Sequence, residues 1–334
     1  MRNKRIAAVT GTLALAALVA GAVNFGATPR VAKAAQDNNR LSITVFRGEL
    51  GESGIGLGPW GSGSAEASKD AVLVGTSSIK VTTQGMYQGA RLDFRNGVNL
   101  EEAFRNPRAY LRFQVRFTGV GAVQTVQAGG GGAGADGPGA IGGGPIGGVE
   151  SVKRLASPFK NMRYVLVMGD GTRYELVRPV EVPPTEDPDS YVPLAFPLSA
   201  ITKKLNGKTL TGQGAVVKQL AIFGDKYEQF YIGEINVIAD ETDIVVSPLE
   251  DQIFFANQTT AFVGNAEAGA TTLRYSWDFD AKDGIQEDAS GRVVSKVFPK
   301  RGEGTSKYTV TLTVSDYDGI KKPQSVSQEI EVND

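Results

Sequence analysis

From residue 41 onward the chain alternates apolar and polar positions in short runs bounded by Gly, Pro, Asn and Asp. That is the signature of β-strands with one buried face. In "SSIKVTT" (77–83), Ile79 and Val81 fall on one side, and Lys80 and Thr82 on the other. "GARLDF" (89–94) turns Leu92 and Phe94 inward, and Arg91 and Asp93 outward. "YLRFQVRF" (110–117) sets Leu111, Phe113, Val115 and Phe117 against Tyr110, Arg112, Gln114 and Arg116. "MRYVLVMGDGTRYELV" (162–177) predicts a hairpin about "GDG". Further strands are expected in "PLAFPLSAI" (193–201), "VVKQLAIFG" (216–224) and "FYIGEINVI" (230–238). Helix is confined to short pieces such as "NLEEAF" (99–104), with Asn99 as N-cap.

Two stretches interrupt this rhythm. Residues 119–149 are dominated by Gly and Ala and have little to bury, so chain entropy should leave them disordered. Strand signals on both sides make this a loop inside one domain. As a phosphate cradle it fails, because no Lys-Ser/Thr follows and no helix opens after it. The second break, "ADETDIVVSPLE" (239–250), marks a boundary. Strand signals then resume over about ninety residues, the size of one small sandwich. The expected class is all-β: a two-sheet sandwich over 41–240, then a smaller sandwich over 242–334.

Composition narrows the chemistry. There is no Cys, hence no disulfide, thiolate nucleophile or iron–sulfur cluster. There is no His, which removes the commonest general base, the commonest zinc ligand and any Ser-His-Asp triad. A metal would have to be hard and oxygen-bound, and calcium is the candidate. Residues 1–34 carry five basic groups and no acid. Arg2, Lys4 and Arg5 precede an apolar run from Ile6 to about Val23, and "AKA" (32–34) is a small-x-small cleavage pattern. This reads as a secretory signal over 1–34, with an uncleaved membrane anchor as the alternative. The remainder holds 30 basic against 36 acidic residues. It has no basic face for nucleic acid and no second stretch apolar enough to span a membrane. Export places the mature chain outside the cell, at the cell surface or in the periplasm.

The acidic stretch "YSWDFDAKDG" (275–284) poses three alternatives. As a helix–loop–helix calcium loop it puts Lys282 at position 5 and Ala289 at position 12, and a cation in the ligand ring disqualifies it. As a catalytic acid pair, Asp278 and Asp280 lack a groove to serve. A looser, oxygen-only calcium site using Asp278, Asp280 or Asp283 fits the residue types. As a strand, Tyr275, Trp277 and Phe279 share one face and should be buried together. Trp277-Asp278-Phe279, an acidic turn, and then Tyr308 to Gly319 ("YTVTLTVSDYDG") resemble the polycystic-kidney-disease-type (PKD) repeat over about 242–334. Asp280 in place of the usual Gly and the longer "AKDGIQEDASGR" connection depart from the pattern. The resemblance implies an Ig-like sandwich that spaces or mediates contacts in extracellular proteins, with Trp277 in its core.

The order "GTSSIKVTTQGMYQGARLDF", several strands, then "QFYIGEINVI" resembles jelly-roll carbohydrate-binding modules of the galactose-binding-like type. Gly233-Glu234-Ile235 stands where that pattern usually has Asp-Asp-Ile, which weakens a structural-calcium role for Glu234. Sugar binding on such a fold needs flat aromatics and planar polar groups. Tyr110, Arg112, Gln114 and Arg116 supply a row spaced about 7 Å apart. Trp60 lies in the Gly-rich "GLGPWGSGS", Tyr87 and Gln88 lie in a turn, and Arg91 with Asp93 extends the surface. The plainer reading of alternating Arg and Gln is a solvated sheet face. The function expected is a secreted, non-catalytic surface or matrix protein that binds a polysaccharide or cell-surface glycan. The alternative is a structural envelope, fibre or surface-layer component that contacts other envelope proteins. A carboxylate-only glycosidase is chemically open, but no segment is left over to form a catalytic domain.

Overall fold

The computed structural model of the protein describes residues 41–118, 159–181, 189–203, 205, 208–300, 302 and 304–333. The expected signal segment (1–34) and Gly-rich loop (119–149) lie outside the described residues. Among those described, no helix is long and apolar enough to cross a membrane.

The fold is all-β, with two sandwiches. The first carries β1 (Ser42–Phe46), β2 (Ile55–Trp60), β3 (Ser64–Ser68), β4 (Ser78–Gln84), β5 (Gly89–Asn99), β6 (Ala109–Phe117), β7 (Asn161–Met168), β8 (Arg173–Pro179), β9 (Val192–Pro197), β10 (Val216–Gly224) and β11 (Tyr227–Ala239). One sheet runs β3-β4-β11-β6-β9, with β1 also on β11, and the other runs β2-β5-β10-β7-β8. Their inner faces supply a single apolar core: Ile79, Val81, Phe113, Val115, Phe230 and Ile235 from the first, and Leu92, Tyr164, Leu166, Leu220 and Ile222 from the second. Phe113 stacks on Tyr164 across the gap, with ring centroids 5.4 Å apart. The predicted alternation is therefore the one observed. The chain departs from expectation in three places. Trp60 ends strand β2 rather than sitting in a loop. The 193–201 run stops as a strand at Pro197 and turns into the short helix Ser199–Lys203. The helix Glu101–Arg105 begins after Leu100, although Asn99 Oδ1 still accepts the Glu101 N–H at 3.0 Å.

The second sandwich carries β12 (Val245–Val246), β13 (Phe254–Phe255), β14 (Thr259–Val263), β15 (Ala266–Glu267), β16 (Leu273–Asp278), β17 (Ala289–Ser290), β18 (Val293–Val297), β19 (Ser306–Asp316) and β20 (Gln324–Asn333). Its main sheet runs β13-β20-β19-β16-β17. Tyr275, Trp277 and Phe279 are buried together, as the strand period requires. Trp277 is fully enclosed; its Nε1 donates to Gly291 O at 2.9 Å, and it lies parallel to Phe279.

A buried polar joint connects the two sandwiches. Asp316 Oδ1 accepts from the Asp318 N–H, and its Oδ2 accepts from those of Ile320 and Lys321, so this carboxylate shapes the β19–β20 turn. The turn delivers Lys321, whose side chain is 0% exposed, to Asp240 just after β11; Nζ lies 2.6 Å from Oδ2 and also donates to Ala268 O. Beside it, Arg178 at the end of β8 donates to Asp318 at 2.7 Å. Burial pushes the Asp240 carboxyl up, but hydrogen bonds from Lys321, Thr242 and Ala270 outweigh it and hold it below its ordinary value.

Removing one partner of a buried ion pair strands the other. Lys321→Met is therefore expected to destabilise the protein by about 3–5 kcal/mol, measured by denaturant unfolding. The sign for Asp240 follows from its lowered value. Its contribution is complete above the unfolded-state pKa of about 3.9 and is lost as pH falls through the lower folded-state value. Asp240→Asn should flatten the acid limb of the stability profile below about pH 5.

Candidate ligand-binding face

The outer face of the β2-β5-β10-β7-β8 sheet is built by register. Opposed residues across an antiparallel sheet share a face. One row reads Gly58, Arg91, Ala221, Val165, Glu175, and the next Gly56, Asp93, Gln219, Val167, Arg173. Trp60, opposite Gly89, starts a third that continues through Phe223 and Arg163 to Val177. The register of β10 shifts between Val217 and Gln219. With Lys218 as the extra residue, Val217, Leu220 and Ile222 face the core while Gln219, Ala221 and Phe223 face outward.

This outer face has its own apolar floor. Val165, Ala221 and Phe223 are buried there, with Trp60 packed against them edge-on to Phe223 at 5.9 Å. Gly89 is required at this point, since a Cβ there would fall 2.2 Å from Ile222 O and 3.0 Å from the Phe223 ring. Polar groups lie over the floor in closed pairs. The Arg163 guanidinium sits 4.8 Å from the Phe223 centroid and 4.7 Å from that of Tyr87. Its Nη2 donates to Glu175 Oε2 at 2.8 Å, its Nε lies 2.7 Å from Oε1, and its Nη1 donates to Met86 O at 3.0 Å. The Glu175 hydrogen bond holds Arg163 above its ordinary pKa. Asp93 accepts from Arg91 Nε at 2.9 Å and from Gln219 Nε2 at 2.5 Å. The result is a rigid surface of aromatic edges, guanidinium donors and carboxylate acceptors. Such groups can meet sugar hydroxyls in pairs and stack against ring faces.

The eight residues singled out from sequence do not converge. Trp60, Tyr87, Gln88 and Arg91 belong to this face; Tyr87 is 71% exposed, and Gln88 leans over Gly61 next to Trp60. Arg112, Gln114 and Arg116 lie on β6, on the outer face of the opposite sheet, with the core between. There Arg112 is engaged by Asn236 and Glu234, and Arg116 by Asp189. Tyr110 needs correction as a ligand contact, because it is 0% exposed: the second sandwich covers it, with Lys321 Nζ 5.6 Å from its ring. Glu234 pairs with Arg47 and Arg112.

The aspartates of the calcium expectation, Asp278, Asp280 and Asp283, lie together in and just before the turn that follows β16. Asp278 is buried, and its two oxygens accept the backbone N–H groups of Asp280 and Gln286, while Asp283 accepts from the Gln286 side chain. These carboxylates shape the turn. Among the described residues, no group of three or more Asp, Glu, His or Cys could hold a metal ion.

Sequence reasoning missed Arg163, Glu175, Gln219 and Phe223. The readable signal was the unbroken apolar run in "YVLVM" and "LAIF". A strand that is apolar at every position is covered on both faces.

Residues 245–332 match the family described as PKD domain, and the C-terminal sandwich is a PKD domain. The chain is similar to the crystal structure of the PKD1 domain of Vibrio anguillarum Epp at 20% identity and TM-score 0.21, over 28% of this chain and 98% of that one. It is also similar to a beta-1,2-glucanase from Parabacteroides distasonis (12% identity, TM-score 0.35, 86% of this chain and 38% of that one). A β-glucuronidase from Ruminococcus gnavus follows at 9% identity and TM-score 0.18, over 77% of this chain and 36% of that one. The chain thus spans well under half the length of either glycosidase, and likenesses at this level say nothing of activity. No curated protein matches the chain.

The two tryptophans report separately on these surroundings. Trp60 is half-buried at the candidate face and Trp277 is enclosed. Iodide should quench Trp60 and leave Trp277 untouched, so Trp60→Phe should remove the quenchable emission.

Proposed function

We propose that the protein is a secreted, non-catalytic surface or matrix protein. It binds a polysaccharide or cell-surface glycan through the outer face of the β2-β5-β10-β7-β8 sheet. The PKD domain serves as spacer and contact module. The observation that carries this reading is the Arg163 guanidinium, held between Tyr87 and Phe223 and paired with Glu175, with Trp60 edge-on to the same Phe223 ring. A surface so fixed before binding loses little conformational freedom on meeting a ligand. The basic residues, the apolar run and the small-x-small pattern within residues 1–34 of the sequence support export.

A second reading, a structural envelope, fibre or surface-layer component, draws on the exposed apolar side chains of Val245, Ile253, Phe255 and Val297 in the second sandwich. Sedimentation separates the two: concentration-dependent oligomers in the absence of any glycan binding favour assembly.

On a polysaccharide panel, Trp60→Ala and Tyr87→Ala are each expected to weaken binding by about tenfold or more, as truncation of central aromatic contacts does. Gln114→Ala, on the opposite sheet, should leave binding unchanged. Equal loss in all three variants would remove the site from this face.

A further inference from the structure

Taking the outer face as a glycan site, as proposed above, we infer that its ligand is an uncharged polysaccharide held along its length, not an acidic glycan. The charges at the heart of the face are two cations and two anions, already joined: Arg91 to Asp93 at 2.9 Å, and Arg163 to Glu175 at 2.7 Å. An acidic sugar selects sites whose guanidinium groups are free to take its carboxylate in parallel. Here Arg163 is already paired with Glu175, to which its Nη2 donates, and Asp93 occupies Arg91 Nε. A second carboxylate brought to either pair would meet like charge. Two exposed cations lie outside both pairs, Arg173 at the β8 rim and Arg95 further along β5, and both stand away from Trp60 and Tyr87 at the far end of the strands.

An uncharged sugar has the opposite needs. It presents hydroxyls that both donate and accept, so a guanidinium beside a carboxylate offers complementary partners at fixed spacing. Gln219 extends the set by bonding Asp93 through Nε2. The apolar flank of a pyranose finds Trp60 and Tyr87. The shape points to an extended chain. At the β2 edge Gly56 and Gly58 raise no side chain, and the Arg91 guanidinium lies low over Gly58; a Cβ at Gly58 would come within 3.1 Å of Nη2. The five strands span about 19 Å from edge to edge at ordinary sheet spacing, and at the β2 side Trp60, at the end of that strand, is the large side chain that rises from the face.

The test compares neutral and acidic polymers of one backbone. Hydroxyethyl cellulose and carboxymethyl cellulose form one pair, galactomannan and alginate a further neutral and acidic sample, each titrated against the full mature chain. The inference expects binding to a neutral polymer that changes less than about twofold between about 0.02 M and about 0.5 M salt, with weaker binding to its acidic counterpart. The double variant Asp93→Asn/Glu175→Gln, which leaves the arginines uncompensated, should shift preference toward carboxymethyl cellulose by about tenfold. Tighter, salt-sensitive binding of acidic polymers by the unaltered protein overturns the inference while leaving the glycan site standing. No binding to either class overturns both. Circular dichroism of the double variant separates a lost fold from a changed preference.

Discussion

A strand offers each side chain one of two faces, and a single extra residue exchanges them. The first sandwich depends on that constraint between Thr44 and Phe46 in β1 and at two further positions. The register shift between Val217 and Gln219 keeps Val217 in the core and turns Phe223 outward, where it becomes the floor beneath Arg163 and Trp60. The shift between Ile232 and Glu234 does the same in β11. Ile232 and Ile235 both reach the core, Glu234 points out, and Gly233 is the extra residue. Only glycine fits there, because a Cβ would fall 2.5 Å from Leu73 Cβ and 2.8 Å from the Tyr191 ring. Without these two offsets the apolar residues of β10 and β11 would alternate out of phase with the core they fill.

The two outer faces that result are chemically unlike. On β6 the outward residues Arg112, Gln114 and Arg116 are polar and half-buried, and they meet Asn236, Glu234 and Tyr231 on β11. On β7 and β10 the outward residues include Val165, Ala221 and Phe223, which are buried under ion-paired side chains. Exposed ion pairs contribute little to stability. The consequence of pairing Arg91 with Asp93 and Arg163 with Glu175 is positional. It holds flexible side chains in one arrangement over an apolar floor, so the face keeps its shape before any ligand arrives.

How much of this could be read from the residues divides along the same line. Period-two alternation placed Ile79, Leu92, Phe113 and Trp277 correctly, because each sits on a regular strand facing a core. Alternation was silent on which sheet a strand joins. It therefore merged Arg91 on β5 with Arg112 on β6, although these strands belong to different sheets. Trp60 looked like a loop residue because Gly56, Gly58 and Gly61 surround it. Those glycines instead mark an edge strand whose outer face is left bare except at its end. Tyr110 shared a face with Arg112 as read, yet burial by a second sandwich is a tertiary event that no local period encodes.

The PKD pattern adds a further layer to that separation. Asp316 and Gly319 are legible as a motif and resemble a turn signature. Their physical task is visible only with the neighbouring sandwich in place. Asp316 gathers the backbone of the turn, and Gly319 takes the positive φ of 71° that the reversal needs. Asp318 and Lys321 then leave the turn pointing at Arg178 and Asp240. Arg178 belongs to β8, the edge strand of the sheet that carries the candidate face. The same strand therefore supplies Glu175 to the candidate face and, three residues on, the cation that pairs with the PKD domain's Asp318. A buried pair at that spot ties the position of the second sandwich to the sheet whose outer surface is proposed to bind. The PKD domain is in this respect joined to that sheet by buried polar contacts.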